Sequence, residues 1–139
     1  MPEGRTLVAG RAAGLALVLA EPLSFWGGLD PETGELIDTH HPQRGAVVTD
    51  RILVMPSGRG SSSSSYILAE AIRAGTAPAA IVLREADGIV ALGAIVAREL
   101  YGTTIPVGVL DADAFDAIAD GALVEVVAGD DVVTVGPTG

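Results

Sequence analysis

The chain contains no cysteine among its 139 residues. It therefore forms no disulfide, has no thiol nucleophile, and cannot bind an iron–sulfur cluster through thiolates of its own. Aromatic residues are also scarce, at 4% of the sequence. A hydrophobic core built from this chain must consist almost entirely of aliphatic side chains.

Long apolar runs and an excess of positive charge are missing as well. The longest apolar stretches, Leu15–Ala20 and Ile89–Ala97, are much shorter than the ~20 residues that cross a bilayer. Glu3, Arg5 and Arg11 interrupt the beginning of the chain, which is not typical of a signal peptide, and we expect a cytoplasmic protein. The 8 basic residues face 18 acidic ones, for a net charge of −10, and this balance disfavours nucleic acids and anionic membranes as partners.

Aliphatic residues are what the sequence has in abundance. Hydrophobic residues make up 49% of the chain, which argues against intrinsic disorder. The length fits one domain, and a domain of this size buries roughly 68–70% of the surface that its unfolded chain exposes. Because no repeat or linker-like change in composition interrupts the sequence, we expect residues 1–139 to form a single domain.

The hydrophobic pattern predicts a β-rich first third, an alternating middle and a final β-hairpin. The predicted strands are Thr6–Arg11, Leu15–Leu19, Leu36–Asp38, Gly45–Met55, Ala79–Leu83, Ile105–Leu110, Leu123–Val127 and Val132–Val135. The predicted helices are Ser65–Ala74, one with an apolar face from Leu92 to Leu100, and a short helix or turn over Asp113–Ala119. This order predicts an α/β fold with a central, partly parallel sheet and a β-barrel-like part.

The segment with the clearest chemical character is Pro56-Ser57-Gly58-Arg59-Gly60-Ser61, between a predicted buried strand and a predicted helix. Ligands bind beyond the carboxyl ends of strands in α/β sheets. Glycines let the backbone approach a ligand, hydroxyl and amide groups at a helix start hold anionic oxygens, and an arginine clamps a carboxylate. A capped turn explains the same pattern, so an anion site and an ordinary turn both stay open.

Three further segments carry residue types that occur in binding sites. Ser24–Asp30 contains the only tryptophan and predicts a ligand wall, an interface anchor or a small satellite core. Asp38–Pro42 contains both histidines; neighbours on an extended segment face opposite sides, which favours a structural role over a shared metal. Arg84–Gly88 follows the predicted strand Ala79–Leu83, where a second ligand-facing loop or a solvated turn is expected.

Together these segments resemble the swivel-type small subunit of the aconitase X family. The matching stretches are Pro22–Gly28, Asp38 through Pro42 with Gly45, Pro56–Ser61, Ala79–Leu83, Leu92–Ala97 and Ile105–Val107. The resemblance extends from Leu7 to Leu110. Its Gly-Arg-Gly-Ser element is the most specific part, whereas the flanking apolar strands are much less specific.

The resemblance implies a hydro-lyase made of two polypeptides. The large subunit would hold an iron site or an iron–sulfur cluster, and this chain would be a swivelling β/β/α domain that closes over the substrate. It would supply the serine that acts as general base, which corresponds to Ser61. The substrate-binding residues would be Ser57, Gly58, Arg59, Gly60 and Ser62. Since this chain has no cysteine, any cluster requires a cysteine-containing partner, and we expect no metal ligand here.

A serine in this role has to meet a physical requirement. A general base must lie within about 3 Å of the hydrogen that it removes. A serine hydroxyl becomes basic enough only when backbone N–H groups and a nearby cation stabilise its alkoxide. Arg59 and the amide groups of residues 60–62 are placed along the sequence to do this.

The family includes dehydratases of cis-3-hydroxy-L-proline and of mevalonate 5-phosphate. The Gly58–Ser61 element together with Glu99–Gly102 is more similar to the bacterial hydroxyproline branch, while the serine run Ser62–Ser65 departs from it. A mevalonate 5-phosphate dehydratase small subunit is therefore the alternative within the family. Outside it, a stand-alone anion-binding module and a purely structural domain are the other hypotheses.

Overall fold

The computed structural model describes residues 3–59 and 63–137. In that part of the chain, seven strands and four helices are present. The strands are β1 (Glu3–Val8), β2 (Gly10–Val18), β3 (Ile52–Met55), β4 (Ala80–Leu83), β5 (Val107–Leu110), β6 (Leu123–Ala128) and β7 (Val132–Pro137). The helices are α1 (Phe25–Gly28), α2 (Ser63–Ala74), α3 (Gly88–Tyr101) and α4 (Ala112–Asp116).

The strands close into one barrel in the order β1-β5-β4-β3-β2-β6-β7, and β7 pairs with β1. Neighbours along the run β2-β3-β4-β5 are parallel. The pairs β1-β5, β1-β7, β2-β6 and β6-β7 are antiparallel. The predicted α/β class, the partly parallel sheet and the barrel-like part are thus confirmed.

Two hydrophobic cores lie on the opposite faces of the parallel strands. The barrel core, inside the sheet, includes Ile52, Val54, Val82, Phe115 and Val126. The helix-side core, under α2 and α3, includes Leu53, Met55, Leu68, Leu83 and Val90. Every residue of β3 and β4 is buried, as expected for parallel strands that are covered on both faces. Both cores are almost wholly aliphatic, as the composition predicts.

Helix α3 begins and ends at residues that supply its caps. Asp87 is extended, and its carboxylate accepts hydrogen bonds from the N–H groups of Ile89 and Val90. Gly102 adopts the left-handed conformation at φ 70°, and its N–H donates to the carbonyl of Arg98. Only glycine enters this conformation at little cost, so the predicted stop at Gly102 is confirmed. None of the helices in the described residues is long and apolar enough to cross a membrane.

Three of the first predicted strands are wrong in extent. The gap between Thr6–Arg11 and Leu15–Leu19 does not exist, because Gly14 lies inside β2; the chain turns instead at Gly10, with φ 157°. The predicted strand Gly45–Met55 shortens to β3, since its first residues form an isolated bridge between Val47 and Glu35. Residue Asp50, at φ 59°, then turns the chain into the barrel.

Leu36–Asp38, predicted as a brief strand, is also not a regular strand. Leu36 forms one isolated bridge, with Leu29. Its N–H donates to the Ala46 carbonyl at 2.8 Å, so the segment pairs locally with the loop before β3. A local pairing partner of this kind leaves no signal in hydrophobic periodicity.

The close packing of α2 against α3 depends on Gly93. A Cβ atom on Gly93 would lie 2.9 Å from the Ser65 carbonyl oxygen and 3.1 Å from Leu68 Cβ. A larger residue would therefore push α3 away from α2, and both helices begin at the same edge of the sheet.

We expect Gly93→Ala to lower the free energy of unfolding by about 1–3 kcal/mol through overpacking. Urea denaturation of the purified chain measures this change. Gly88→Ala is the matched control, because a Cβ atom there meets nothing within 4 Å. That control should be neutral or stabilising by about 0.4–1 kcal/mol, and equal losses in both variants would contradict the packing explanation.

Candidate functional site

The loops that follow β3 and β4 meet at one edge of the sheet, because parallel neighbours end on the same side. Residues 56–59 follow β3 and residues 84–87 follow β4. The N–H groups of Arg84 and Glu85 both donate to the carbonyl of Pro56, at 3.1 and 3.0 Å. The structure therefore brings the first ligand-facing segment and the second one directly together.

Asp87 connects these loops to the start of α3. Its Oδ1 atom accepts from the N–H groups of Ile89 and Val90 at 2.9 and 3.1 Å. Its Oδ2 atom lies so near the other loop that a Cβ atom on Gly58 would be 2.5 Å away. Gly58 is thus required by this close approach, in addition to any role in ligand binding.

A third segment, Leu23–Trp26, contacts the loop after β3. Leu23 forms a parallel bridge with Gly58, and its carbonyl accepts from the Arg59 N–H at 3.2 Å. Trp26 and Ser24 contact the beginning of α2, where the Trp26 N–H donates to Ser64 Oγ at 3.3 Å. The sequence predicts a ligand wall, an interface anchor or a satellite core for Ser24–Asp30, but not these contacts with Gly58 and Arg59, because a single bridge between distant loops has no periodic signature.

The space enclosed by these elements is small. The cavity is lined by Leu23, Phe25, Gly58, Arg59, Ser64, Asp87, Ile89 and Val90. Its volume of about 10 Å³ is close to the minimum for a single water molecule. The described residues of these elements therefore enclose no pocket large enough for an organic substrate.

The family of this chain follows from comparison with known proteins. The family model of the aconitase X swivel domain matches residues 1–135. The chain belongs to the aconitase X swivel domain family. This swivel domain also superimposes on the holo-form crystal structure of Thermococcus kodakaraensis aconitase X with a TM-score of 0.84 and 37% identity, covering 98% of this chain and 99% of that one.

Curated relatives of the swivel domain carry dehydratase names. It is 53% identical over 115 residues to the cis-3-hydroxy-L-proline dehydratase of Pseudomonas aeruginosa, which covers 83% of this chain and 20% of the relative. It is 50% identical over 95 residues to the phosphomevalonate dehydratase small subunit of Thermococcus sibiricus, 68% of this chain and 73% of that subunit. The swivel domain thus spans one fifth of the length of the Pseudomonas relative and most of the Thermococcus one.

The residues predicted for the site divide into two groups. Ser57 and Gly58 are half-buried and Arg59 is exposed at the edge of the sheet. Among the described residues, Arg59 takes part in no ion pair, so its charge is available to a ligand. The predicted base Ser61 and the predicted ligands Gly60 and Ser62 lie outside the described residues. Their roles stay predictions.

The aromatic pair of the swivel domain separates into a core residue and a surface residue. Phe25 is buried in the helix-side core. Trp26 is 59% exposed and is fixed by its backbone beside Ser64. Phe25 is therefore part of the main helix-side core and not of a satellite core, and of the pair Trp26 keeps the surface position that a ligand wall or an interface anchor needs.

His41 has a structural role in the swivel domain. Its Nδ1 accepts from the Gln43 N–H at 3.0 Å, so its proton sits on Nε2, which donates to the Glu21 carbonyl at 3.2 Å. His40 is exposed. No group of three His, Asp or Glu side chains in residues 3–59 and 63–137 is placed to bind a metal ion. The interpretation of this segment as a hydrogen-bonding loop agrees with these contacts.

The side chain of Arg84 covers an end of the barrel. Its guanidinium lies 5.8 Å from the centre of the Phe115 ring, within the range of a cation–π contact. Since Phe115 belongs to the barrel core, the Arg84 side chain stabilises the fold. The backbone of Arg84, by contrast, ties the two site loops together.

Asp87 gives a test of how the second loop is held. We expect Asp87→Ala to lower the free energy of unfolding by about 1 kcal/mol, because two N–H groups of α3 lose their acceptor. Asp87→Asn keeps an acceptor oxygen and should retain most of the stability. Urea denaturation of both variants measures the difference, and an equal loss in Asp87→Asn would show that capping is not the cause.

Proposed function

We propose that this swivel domain is part of a dehydratase, a hydro-lyase that removes water from a small hydroxy acid, and that cis-3-hydroxy-L-proline is its substrate. The observation that carries the proposal is the 53% identity to the Pseudomonas cis-3-hydroxy-L-proline dehydratase over 83% of this chain. The position of residues 56–59 at the carboxyl ends of β3 and β4 supports it, because ligands bind at this edge in α/β sheets.

In this proposal Ser61 is the general base. Its alkoxide takes the proton from the carbon that bears the carboxylate, and the electron pair of that C–H bond forms a C=C bond while the hydroxyl on the next carbon leaves as hydroxide. The proton that Ser61 took is then returned to this hydroxide, which gives water and restores the alkoxide. The reaction requires a base about 3 Å from the hydrogen. Ser61 follows Arg59 by two positions, in a loop whose preceding residues are held by Leu23.

Arg59 is proposed to supply the positive charge of the site. An exposed guanidinium with no ion pair among the described residues can stabilise the Ser61 alkoxide or bind the substrate carboxylate. Ser57, Gly58, Gly60 and Ser62 are proposed to bind the substrate through hydroxyl and backbone groups. This local charge matters because the chain as a whole carries −10, which would otherwise repel an anionic substrate.

The site is proposed to be completed by a large subunit. The cavity of about 10 Å³ among the described residues leaves the substrate's other faces uncovered. The residues of this chain do not fit a metal centre, since it has no cysteine and its described residues contain no cluster of metal ligands. We therefore assign the iron site or iron–sulfur cluster to a cysteine-containing large subunit, with residues 1–139 as one swivel-type domain in a cytoplasmic complex.

A second candidate substrate is mevalonate 5-phosphate. The observation that favours it is the 50% identity to the Thermococcus phosphomevalonate dehydratase small subunit, of which this chain covers 73%. Both candidates place a carboxylate near the reacting carbons. They differ in the second charged group, which is a ring nitrogen in one and a phosphate in the other.

Co-expression with the large subunit from the same genome decides between these substrates. We expect the purified complex to dehydrate cis-3-hydroxy-L-proline, and each chain alone to be inactive because each forms only part of the site. Product formation is measured for both substrates with the same preparation. Turnover of mevalonate 5-phosphate alone would favour the second candidate, and an intact complex inactive on both would refute the proposed function.

The base is tested by Ser61→Ala in the same complex. We expect kcat to fall by about 10²–10⁴-fold, the usual contribution of a general base, while size-exclusion chromatography shows an intact complex. Thr103→Ala is the matched control, because this exposed hydroxyl lies before β5 at the opposite edge of the sheet. Full activity in Ser61→Ala would exclude this residue as the base.

A further inference from the structure

Leu23–Trp26 contacts the chain on both sides of residues 60–62, and we call it the bracing segment. Before those residues, Leu23 bridges Gly58 and its carbonyl accepts from the Arg59 N–H at 3.2 Å. After them, the other end of the bracing segment bonds to Ser64 in the first turn of α2. One short segment thereby fixes both ends of the loop that carries Ser61.

The bracing segment is itself anchored in the helix-side core. Leu23 and Phe25 are each 1% exposed and belong to that core. The alternate residues, Ser24 and Trp26, make the contacts with α2. Because both side chains are packed inside a dense core, the segment is a firmly held reference for the residues that flank the loop.

Ser64, in the first turn of α2, contacts the bracing segment through its side chain. Its side chain is buried, with 3% exposure. Ser64 Oγ accepts from the Trp26 N–H at 3.3 Å and lies 3.3 Å from Ser24 Oγ. Ser24 Oγ donates to the Trp26 carbonyl at 3.0 Å, so its single proton is used there. The hydroxyl proton of Ser64 must then be the one between the two serines.

We propose that Ser64 is a positioning residue for the base Ser61, acting by fixing the second end of the loop to the bracing segment. This inference rests on the proposed function for its activity readout. Only three positions separate Ser61 from Ser64, so a shift at the start of α2 moves the base. A displacement of about 1 Å away from the chemistry can cost on the order of 10²-fold in rate.

The proposal also explains why a small hydroxyl residue is needed at position 64. Alanine fits the buried site but offers no acceptor for the Trp26 N–H and no donor for Ser24. The serine run therefore contains a residue with a specific function, where its composition suggests only a low-complexity stretch. Ser63 and Ser65 have interactions of their own.

The first test uses the complex with the large subunit. We expect Ser64→Ala to lower kcat by about 10-fold or more, with KM changed less than about threefold, because the base is misplaced while the substrate ligands remain. Ser64→Thr keeps the hydroxyl and should recover most of kcat. Ser24→Ala removes one of the two contacts and should give an intermediate loss, and it serves in place of Ser64→Ala if that variant does not fold.

Thr49→Ala is the matched control for stability. Thr49 Oγ1 donates to the Thr76 carbonyl at 2.8 Å, so its loss also removes a partly buried hydrogen bond between a side chain and the backbone. Thr49 precedes β3, at the edge of the sheet opposite the site. A comparable decrease in stability with unchanged kcat in Thr49→Ala would show that general destabilisation does not cause the kinetic effect.

The second test does not depend on activity. Trp26 is the only tryptophan of the chain, so its fluorescence in the isolated 139-residue chain reports on the bracing segment. We expect its steady-state anisotropy to fall and its quenching by acrylamide to rise in Ser64→Ala, and neither to change in Thr49→Ala. Unchanged fluorescence in Ser64→Ala would refute the proposed contact.

The two tests separate this inference from the proposed function. If the wild-type complex dehydrates neither substrate, the proposed function fails. The fluorescence result alone then supports or refutes the contact between Ser64 and the bracing segment. If the complex is active and Ser64→Ala lowers the anisotropy of Trp26 but keeps full kcat, the contact between Ser64 and the bracing segment exists. Its role in positioning Ser61 is then refuted. Loss of kcat together with loosened Trp26 and recovery in Ser64→Thr supports the proposal.

Discussion

The parallel pairing of β3 with β4 is the interaction on which the site depends. Both strands are buried over their whole length, between the barrel core on one face and the helix-side core on the other. Because the two strands end at the same edge, the backbone after β4 can donate two hydrogen bonds to Pro56 after β3. A change that shifts one strand against the other would displace every contact of the candidate site.

The described residues on either side of the proposed base are held by contacts with segments that are distant along the chain. Asp87 approaches Gly58 from the start of α3, and the bracing segment contacts Gly58, Arg59 and Ser64. These contacts hold the described residues on either side of the proposed base. Fixed flanking residues suit the proposed role of the domain, since preorganised groups need not rearrange during the reaction.

The accuracy of the sequence predictions varies with how local their physical basis is. The end of α3 at Gly102 is correct, because a left-handed cap depends on one residue. The hairpin of β6 and β7 is also correct, since its alternating pattern and its turn are contiguous. The strand Gly45–Met55 was predicted too long, because its first residues bond with Gly34 and Leu36 instead of with the barrel. Hydrophobicity alone does not distinguish these two partners.

The sequence by itself determined the family, the fold class and the segment in which the chemistry is proposed, because these depend on residues that are close together along the chain. Its lack of cysteine also determined that thiolate ligands for a cluster must come from elsewhere. Only the tertiary structure decided that Phe25 is a core residue while Trp26 is exposed, that Asp87 approaches Gly58, and that Ser64 bonds to Trp26 and Ser24. Those assignments depend on contacts between residues up to 40 positions apart, and such contacts arise only when the barrel closes and brings its loops to one edge.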